Sequence, residues 1–526
     1  STMDIAANAA AMSYRETLKD QQAKLISEIE ADALDDGTLD VVWNMTLAAN
    51  MISANVKYGQ IKAIEAVDGV KEVVLEAKYE PCVVDREETA DPSMATSSAM
   101  IGSTAAWADG YTGAGSRIAV IDTGIDTDHQ SFDAGAYEYA LSKEAEKANM
   151  SLEDYKASLN LLDADKIAAV ADQLNIKANP KDLYLTGKIP YAYNYVDENL
   201  VVDHDHDSQG EHGSHVEGIA AANAYIPAED GTYTSALDSV FVQGVAPNAQ
   251  ILTMKVFGAS GGAYDSDYMV AIEDAIILGA DSVNLSLGSA SAGYSRSPKY
   301  QDILDSLQNT DTVVTISAGN SYNWAKYASN GVPYLYSEDV NLDTVGSPGS
   351  FTNSLAVASV DNDGFTGDYL KVGDSMIFYT QTSYKNEPMT TIAGEQSYVF
   401  IDGFGTADEF AAIKDVLAGK IAVCSRGTAS FYEKAEAAAA NGAIATVIYN
   451  NQAGTINMDL SSYTKTAPVV SVTQADGKFL KDNAEAVKDE SGNVLYYLGK
   501  LTVGNTLGTV NYNSDYYTMS DYSSTG

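Results

Sequence analysis

The sequence predicts an α/β fold built on a doubly wound, mostly parallel sheet. Short β-branched runs recur in its middle part, and each is apolar throughout instead of alternating with polar residues. The runs are Ile118–Ile121, Ile251–Val256, Ser282–Leu285 and Val313–Ile316. Strands that are apolar on both faces are typical of parallel sheets covered by helices on both sides. Helical segments such as Tyr268–Leu278 separate the runs, which is the alternation of a doubly wound sheet.

The N-terminal residues predict a smaller α+β unit. Residues 14–30 carry apolar side chains at helical spacing (Leu18, Leu25, Ile26 and Ile29), and Val41–Leu47 alternates like a strand. A helix is predicted over 58–67, and the alternation of Val73, Leu75 and Ala77 predicts a second strand. The unit is assigned to residues 1–86. Residues 87–98 are small and polar, and we interpret them as an exposed linker where proteolysis concentrates.

Two further segments differ from the predicted sheet in their composition and in their pattern of predicted helices and strands. Residues 138–185 are helical and charged, and they predict an insertion within a domain of residues 99–375. A second domain is predicted over 376–497, followed by a return to the first domain over 498–526. The second domain alternates strands with a helix, namely Lys420–Cys424, Phe431–Asn441, Ala443–Tyr449 and Pro468–Val472.

Composition excludes several classes of partner. The formal net charge is −42, which would repel nucleic acid and anionic membranes. No run of apolar residues is long enough to span a bilayer. Two cysteines, Cys82 and Cys424, make no disulfide framework, and no bond between them is expected. The charge favours solubility, with calcium binding as the functional alternative.

Three polar residues follow predicted buried strands or begin the next helix. Asp122 ends the strand Ile118–Ile121, His212 precedes an apolar helix and is flanked by Gly213, and Asn320 follows the strand that ends at Ile316. In an open α/β sheet, the carboxyl edge is where ligands bind. An acid, an imidazole base and an amide that stabilises an oxyanion are the parts of a serine-hydrolase site. The order Asp before His matches one known chain order of such a triad.

These motifs resemble those of the subtilisin-like serine proteases, family S8, in the branch of cell-envelope proteinases such as lactocepin and the streptococcal C5a peptidase. The segments that carry the resemblance are Ile118–Asp126, Gly210–Ala221, Gly244–Pro247, Val283–Gly288 and Thr315–Asn320. It implies that Asp122 orients the imidazole, His212 is the general base and Asn320 binds the oxyanion. It also implies that Ser286, Leu287 and Gly288, together with Ser317, Ala318 and Gly319, line the substrate groove.

The resemblance extends to the other segments. Residues 1–86 are similar to a propeptide with a ferredoxin-like α+β unit, which would inhibit its own enzyme until it is cleaved between Tyr79 and Ser98. Residues 376–497 are similar to a β-rich protease-associated domain that shapes substrate access. The implied protein is a secreted or cell-envelope endopeptidase acting on proteins and peptides. No cofactor is expected for the chemistry, and structural calcium is an option.

The serine nucleophile is missing from the sequence. The family carries it in Gly-Thr-Ser-Met-Ala-x-Pro, and residues 1–526 contain no such string. Three explanations stay open: the serine lies on a second polypeptide of a nicked enzyme, the sequence is a shortened form of a longer protein, or the chain is a non-catalytic relative. In the last case it would be a binding module for peptides or surface proteins.

Two competing interpretations of the motifs are weaker. Gly258–Gly262 has the Gly-x-Ser-x-Gly pattern of a nucleophile elbow around Ser260, but that fold needs its histidine after the serine, and the last histidine here is His215. The cluster Asp203–Asp207 with His212 and His215 contains zinc-ligand types, yet it lacks the His-Glu-x-x-His helix. Calcium near Asp203–Asp207 remains an alternative use of these residues.

Overall fold

The computed structural model forms two compact units, and each is described by itself. The first contains Ser1–Val84, Ile101–Asp361 and Tyr516–Gly526, and the second contains Asp85–Met100 and Asn362–Asp515. The structure describes residues 7–34, 37–81, 94–205, 207, 209–259, 261–288, 298–308, 310–320, 345–382, 384–452, 456, 458–511, 517–520 and 523–524.

The N-terminal part of the first unit is a long helix and a small antiparallel sheet. Its elements are α1 (Ala9–Ala33), β1 (Asp40–Met45), β2 (Met51–Asn55), α2 (Ile61–Glu65) and β3 (Lys78–Pro81). The helix α3 (Met94–Met100) follows and belongs to the second unit. The side chain of Asn8 caps α1 by accepting hydrogen bonds from the amides of Ala10 and Ala11. The helix buries Leu18 and Ile29, as its apolar spacing predicts.

The second predicted strand of this part is wrong. Residues 71–77 have no regular secondary structure, and Leu75 is 73% exposed. The antiparallel partner of β1 is β2, which the sequence analysis did not identify. The described residues form a two-stranded sheet here, fewer strands than the four of a ferredoxin-like unit. Of the predicted linker 87–98, residues 87–93 lie outside the described part, and the rest begins α3.

The prediction of a parallel sheet is confirmed. Its six strands are in the order β13-β12-β10-β4-β8-β5, and all neighbours pair parallel. The strands and helices of this part are α4 (Ser103–Ala108), β4 (Arg117–Asp122), α5 (Ala134–Lys147), α6 (Leu152–Leu159), α7 (Ala164–Val170), β5 (Tyr191–Asn194), α8 (His212–Ala221), β6 (Tyr225–Pro227), β7 (Tyr233–Ser235), α9 (Ala236–Ser239), β8 (Gln250–Lys255), β9 (Ala263–Tyr264), α10 (Asp265–Ile277), β10 (Ser282–Leu285), β11 (Leu287–Gly288), α11 (Pro298–Leu307), β12 (Val313–Ser317) and β13 (Leu355–Val357).

The helix α10 is buried along its whole length. Its apolar side chains, including Met269 and Ile272, belong to the same core as the sheet strands. Two of its polar side chains bond other segments: Asp267 accepts from the indole of Trp43 at 3.0 Å, and Asp274 accepts from the hydroxyl of Tyr195 at 2.9 Å. The helix therefore joins the sheet to the N-terminal part of the unit.

The second unit is larger than the predicted domain of residues 376–497. Its central sheet has the order β16-β15-β23-β18-β19-β20-β21-β17, with β22 paired to β23. The sequence assigned residues 498–526 to the first domain, but β23 and β24 extend the second unit to Asp515. Its remaining elements are β14 (Gly364–Gly367), β15 (Tyr369–Val372), β16 (Ser375–Phe378), β17 (Thr380–Gln381), β18 (Gly394–Phe400), α12 (Ala407–Ala412), α13 (Lys414–Leu417), β19 (Ile421–Ser425), α14 (Phe431–Ala440), β20 (Ala445–Tyr449), β21 (Val469–Val472), α15 (Gln474–Asp482), β22 (Glu485–Lys488), β23 (Val494–Val503) and β24 (Gly508–Asn511).

A pH dependence of stability follows from the fully buried carboxyl of Asp274. Burial raises its pKa to about 7, against the opposing hydrogen bonds from Asn175 and Tyr195. The folded state therefore keeps a proton that the unfolded state releases above about pH 4, so this residue's contribution to stability is lost as the pH rises towards 7. We expect Asp274→Asn to remove that loss, measured as the free energy of unfolding by tryptophan fluorescence at several pH values. An exposed control, Asp109→Asn, should follow the native curve; a native slope in Asp274→Asn would contradict the assignment.

Candidate active site

The structure brings the predicted acid and base into direct contact. Asp122 is the last residue of β4, and His212 is the first residue of α8. The Nδ1 atom of His212 lies 2.7 Å from Oδ1 of Asp122. The side chain of Asp122 is 1% exposed and that of His212 is 15% exposed. The carboxylate is therefore buried, whereas part of the imidazole is accessible to solvent. A carboxylate at Nδ1 fixes the proton on that nitrogen, which makes Nε2 the basic atom.

Thr123 holds both partners of this pair. Its amide donates to Oδ1 of Asp122 at 2.7 Å, and its hydroxyl accepts from the amide of Gly213 at 2.8 Å. One residue thus bonds the carboxylate on one side and the start of the histidine helix on the other. This arrangement sets the distance between strand end and helix start, and with it the alignment of the imidazole.

Two glycines allow the strand end and the helix start to approach. Gly124 has φ +110°, a conformation that favours glycine, and a Cβ there would collide with the carbonyl oxygen of Val202. A Cβ on Gly213 would collide with the carbonyl oxygen of Gly124 and lie 2.8 Å from its nitrogen. A side chain at position 213 would push the start of α8, and with it His212, away from the end of β4, whereas one at position 124 would push against Val202.

A second carboxyl group lies buried on the same helix. Glu217 is 1% exposed, and one of its oxygens accepts from the hydroxyl of Thr253 at 2.9 Å. Burial raises the pKa of Glu217 well above its ordinary value, and the charge of Asp122 raises it further, against the effects of Thr253 and Lys188. Burial and the neighbouring Asp122 therefore both favour the protonated form of Glu217.

The segments predicted to line a substrate groove lie side by side. The hydroxyl of Ser317 donates to the carbonyl of Leu287 at 3.2 Å, which joins the segment Ser286–Gly288 to the segment Ser317–Gly319. Ser286 accepts from the side-chain amide of Asn284, and Ala318 donates its amide to Val357. Both segments follow parallel strands and lie at the carboxyl edge of the sheet, as does the end of β4.

Asn320 comes directly after this groove segment. It is partly exposed and follows Gly319, which has φ +100°. The carbonyl of Gly319 accepts from the amide of Ser524 at 2.8 Å, and a bridge pairs Val360 with Met519. The C-terminal residues therefore pack beside the predicted oxyanion segment.

A strand from the N-terminal part already lies against the groove. β3 is the central strand of a three-stranded antiparallel sheet between β11 and β9. Glu80 pairs with Gly288, and Tyr79 pairs with Ala263. The side chain of Tyr79 is fully buried and packs edge-on against the ring of Tyr268, with centroids 5.5 Å apart. The predicted groove segment Ser286–Gly288 thus pairs with an extended strand of the same chain.

One buried ion pair beside the site is not predicted by the motifs of the sequence. Lys255 ends β8, and its amine lies 2.7 Å from Oδ2 of Asp207 with both side chains nearly inaccessible to solvent. A signal was present, because Lys255 interrupts the apolar run Ile251–Val256 of a buried strand. Asp207 had instead been grouped with possible metal ligands.

Other predicted features have mixed outcomes. Within the described residues, no three His, Cys, Asp or Glu side chains converge so as to hold a metal ion; calcium near Asp203–Asp207 stays a prediction. Ser260, His206 and Cys82 lie outside the described residues. Cys424 is a buried free thiol, and burial raises its pKa to about 12.

An aspartate–histidine pair at the carboxyl edge of a doubly wound sheet defines an acid–base site of the serine-hydrolase type. The chain belongs to the subtilase family: its residues 113–526 match the model of that family.

Curated relatives are proteinases. The chain is 30% identical over 490 residues to the PII-type proteinase of Lacticaseibacillus paracasei, which covers 91% of this chain and 23% of the relative. It is 28% identical over 462 residues to the minor extracellular protease Vpr of Bacillus subtilis, covering 85% of this chain and 45% of the relative. It is 27% identical over 381 residues to the C5a peptidase of Streptococcus pyogenes, covering 71% of this chain and 28% of the relative. The chain therefore spans about a quarter of the PII-type proteinase it matches.

Among the described helices, none is both long enough and apolar enough to cross a bilayer.

The glycine contact can be tested by adding a single methyl group. Gly213→Ala should destabilise the first unit by about 2 kcal/mol or more, because the new methyl meets the backbone of Gly124, which cannot move without β4. The matched control is Gly218→Ala on the same helix, where a Cβ meets nothing within 4 Å. That change should stabilise the helix by roughly 1 kcal/mol. Denaturant unfolding measures both, and equal effects of the two substitutions would contradict the close approach.

Proposed function

We propose that the chain is the acid–base part of a subtilisin-type serine endopeptidase that hydrolyses peptide bonds in proteins. Asp122 holds the imidazole, and Nε2 of His212 takes the proton of the attacking serine and later gives it to the leaving amine. The side-chain amide of Asn320 donates to the oxyanion of the tetrahedral intermediate, a role worth roughly 10²–10³ in rate for one donor.

The observation that carries this proposal is the 2.7 Å contact between His212 and Asp122 at the carboxyl edge of the parallel sheet. The groove segments 286–288 and 317–319 follow strands of the same sheet and would bind the substrate as an added strand. Family membership supports the same reaction class.

The attacking serine is proposed to lie on a segment or second polypeptide that is not in residues 1–526. The family string Gly-Thr-Ser-Met-Ala-x-Pro is absent from the sequence. Gly427–Ser430 resembles part of it, but these residues lie in the second unit. Without a nucleophile only weak residual catalysis is expected, so the chain by itself is proposed to be inactive.

The N-terminal residues 1–86 are proposed to act as an intramolecular inhibitor. Support comes from β3, which pairs with the groove strand β11 as an extended substrate would. The loop between β1 and β2 is also held by the fully buried Glu273, which accepts from the amides of Leu47 and Ala48 at 2.8 Å each. Arg15 of α1 adds a cation, with its guanidinium 3.8 Å from Glu273 and a hydrogen bond to Thr46.

The second unit is proposed to be a protease-associated domain that shapes substrate access. Most of its residues, Asn362–Asp515, lie between Asn320 and the C-terminal residues that return to the first unit. Its core strands β18, β19, β20 and β21 pair parallel, and β19 and β21 are buried along their whole length. An extracellular or cell-envelope location is proposed as well, since one relative is described as an extracellular protease.

The assignment of the base is tested in the proteinase that contains the serine segment. His212→Ala should lower kcat/KM for a peptide substrate by roughly 10³-fold or more, since it removes the group that activates the nucleophile. The matched control is His215→Ala, an exposed histidine on the same helix, which should keep activity within a few-fold. Undiminished hydrolysis by the His212 variant would refute the function.

The inhibitor contact is tested by hydrogen exchange in the full chain. Glu273→Gln weakens two charge-assisted bonds to backbone amides, each worth about 1.5–3 kcal/mol. We expect the amides of Leu47 and Ala48 to exchange at least about tenfold faster. The control Glu16→Gln removes an exposed ion pair with Lys19 on α1 and should leave them unchanged. Unaltered exchange at both amides in Glu273→Gln would contradict this contact.

A further inference from the structure

The buried ion pair between Lys255 and Asp207 lies next to the candidate active site, since Lys255 also bonds the residue that follows Asp122. We propose that Lys255 is a positioning residue that aligns His212 with Asp122, acting through two chain segments that it bonds at once. The importance of this alignment for catalysis rests on the proposed function, whereas the alignment itself is a property of this chain.

Lys255 reaches both segments with one ammonium group. Its Nζ donates to the carbonyl oxygen of Thr123, the residue after the aspartate, and to Oδ2 of Asp207 at 2.7 Å. Lys255 is also the strand partner of Asp122 in the register between β4 and β8. The side chain therefore spans from its own strand to the end of the neighbouring strand and onwards to the loop that precedes His212.

The Thr123 contact extends to both members of the acid–base pair. The amide of Thr123 donates to the Asp122 carboxylate, and its hydroxyl accepts from Gly213 at the start of the histidine helix. With the carbonyl held by Lys255, all three polar groups of Thr123 are engaged. The backbone at Thr123, which bonds both the end of β4 and the start of α8, thus has little freedom to rotate.

The Asp207 contact fixes the loop in front of His212. Oδ1 of Asp207 accepts from the amide of Gln209 at 2.8 Å, three residues before the histidine. Burial opposes the charge of Asp207, but the hydrogen bonds from Lys255 and Gln209 hold its pKa below its ordinary value. The Nδ1 atom of His204 lies 3.6 Å from Asp207, and its Nε2 atom lies 3.6 Å from Glu211. The direct bonds of the Asp207 side chain are those to Lys255 and Gln209, and they connect the loop to the end of β8.

Removing one member of such a pair has a larger effect than the pair itself contributes. With Lys255 gone, Asp207 would be an uncompensated buried charge and the Thr123 carbonyl would lose its donor. The loop would have to open to hydrate the carboxylate, and its displacement would carry His212 away from Asp122. Local destabilisation and misalignment are hence expected together.

A matched control comes from the other end of the same strand. Lys188 is also fully buried, and its amine donates to the carbonyls of Pro247 and Ala249 at 2.9 and 2.8 Å. Ala249 precedes β8, whereas Lys255 ends it, so the two lysines act roughly 20 Å apart along the strand. Lys188→Met removes a buried lysine with a comparable number of bonds, but at the opposite edge of the sheet.

The test follows the Nδ1 proton of His212 by NMR in the full chain labelled with ¹⁵N-histidine, and the signal is assigned by its absence in His212→Ala. This proton is shielded from exchange by its bond to Asp122. We expect Lys255→Met to raise its exchange rate at least about tenfold, and Lys188→Met to leave it within about twofold even where unfolding becomes easier.

Should Lys255→Met fail to fold, Asp207→Asn decides the question, with an expected increase of at least about threefold against the same control. An unchanged rate in Asp207→Asn or in a folded Lys255→Met, or an equal increase in Lys188→Met, overturns the positioning role. None of these results depends on peptide hydrolysis, so the proposal can fail while the proteolytic function stands, and the reverse also holds.

Discussion

The hydrogen bond between His212 and Asp122 is the contact on which the rest of the site depends. It requires the start of α8 to lie against the end of β4, where Gly213 contacts the backbone of Gly124 and leaves no room for a side chain at position 213. A parallel sheet provides the platform, because all its strands end at one edge. The groove segments follow two neighbouring strands of that sheet, so the bond and the groove share one rigid support.

Buried acidic side chains around this sheet are stabilised by hydrogen bonds from specific donors. The chain has 73 acidic and 31 basic residues, so its acidic side chains cannot all pair with a basic one. The buried acids of the first unit instead accept from specific donors: Glu273 from two backbone amides, Asp267 from an indole and Asp207 from a lysine. These contacts join the N-terminal part, the long buried helix and the active-site loop, so that a high acidity is compatible with a dense core.

The sequence predicted the sheet and the acid–base pair because both depend on local patterns. Apolar runs mark buried parallel strands, and Asp122 and His212 occur at the strand end and helix start that meet at one edge. Contacts distant in sequence were not predictable in this way. Residues 73–77, predicted as a strand, have no regular secondary structure. The strand forms at Lys78–Pro81 instead, because its pairing partners, β11 and β9, are distant in sequence. Lys255 and Asp207 are 48 residues apart, and no periodicity relates them.

The most direct measurement is labelling of the natural proteinase with a fluorophosphonate, a reagent that reacts with serines activated by a histidine base. The account predicts one modified serine, outside residues 1–526, and loss of the label when His212 is replaced by alanine. Labelling of a serine within residues 1–526, or labelling that persists without His212, would contradict it.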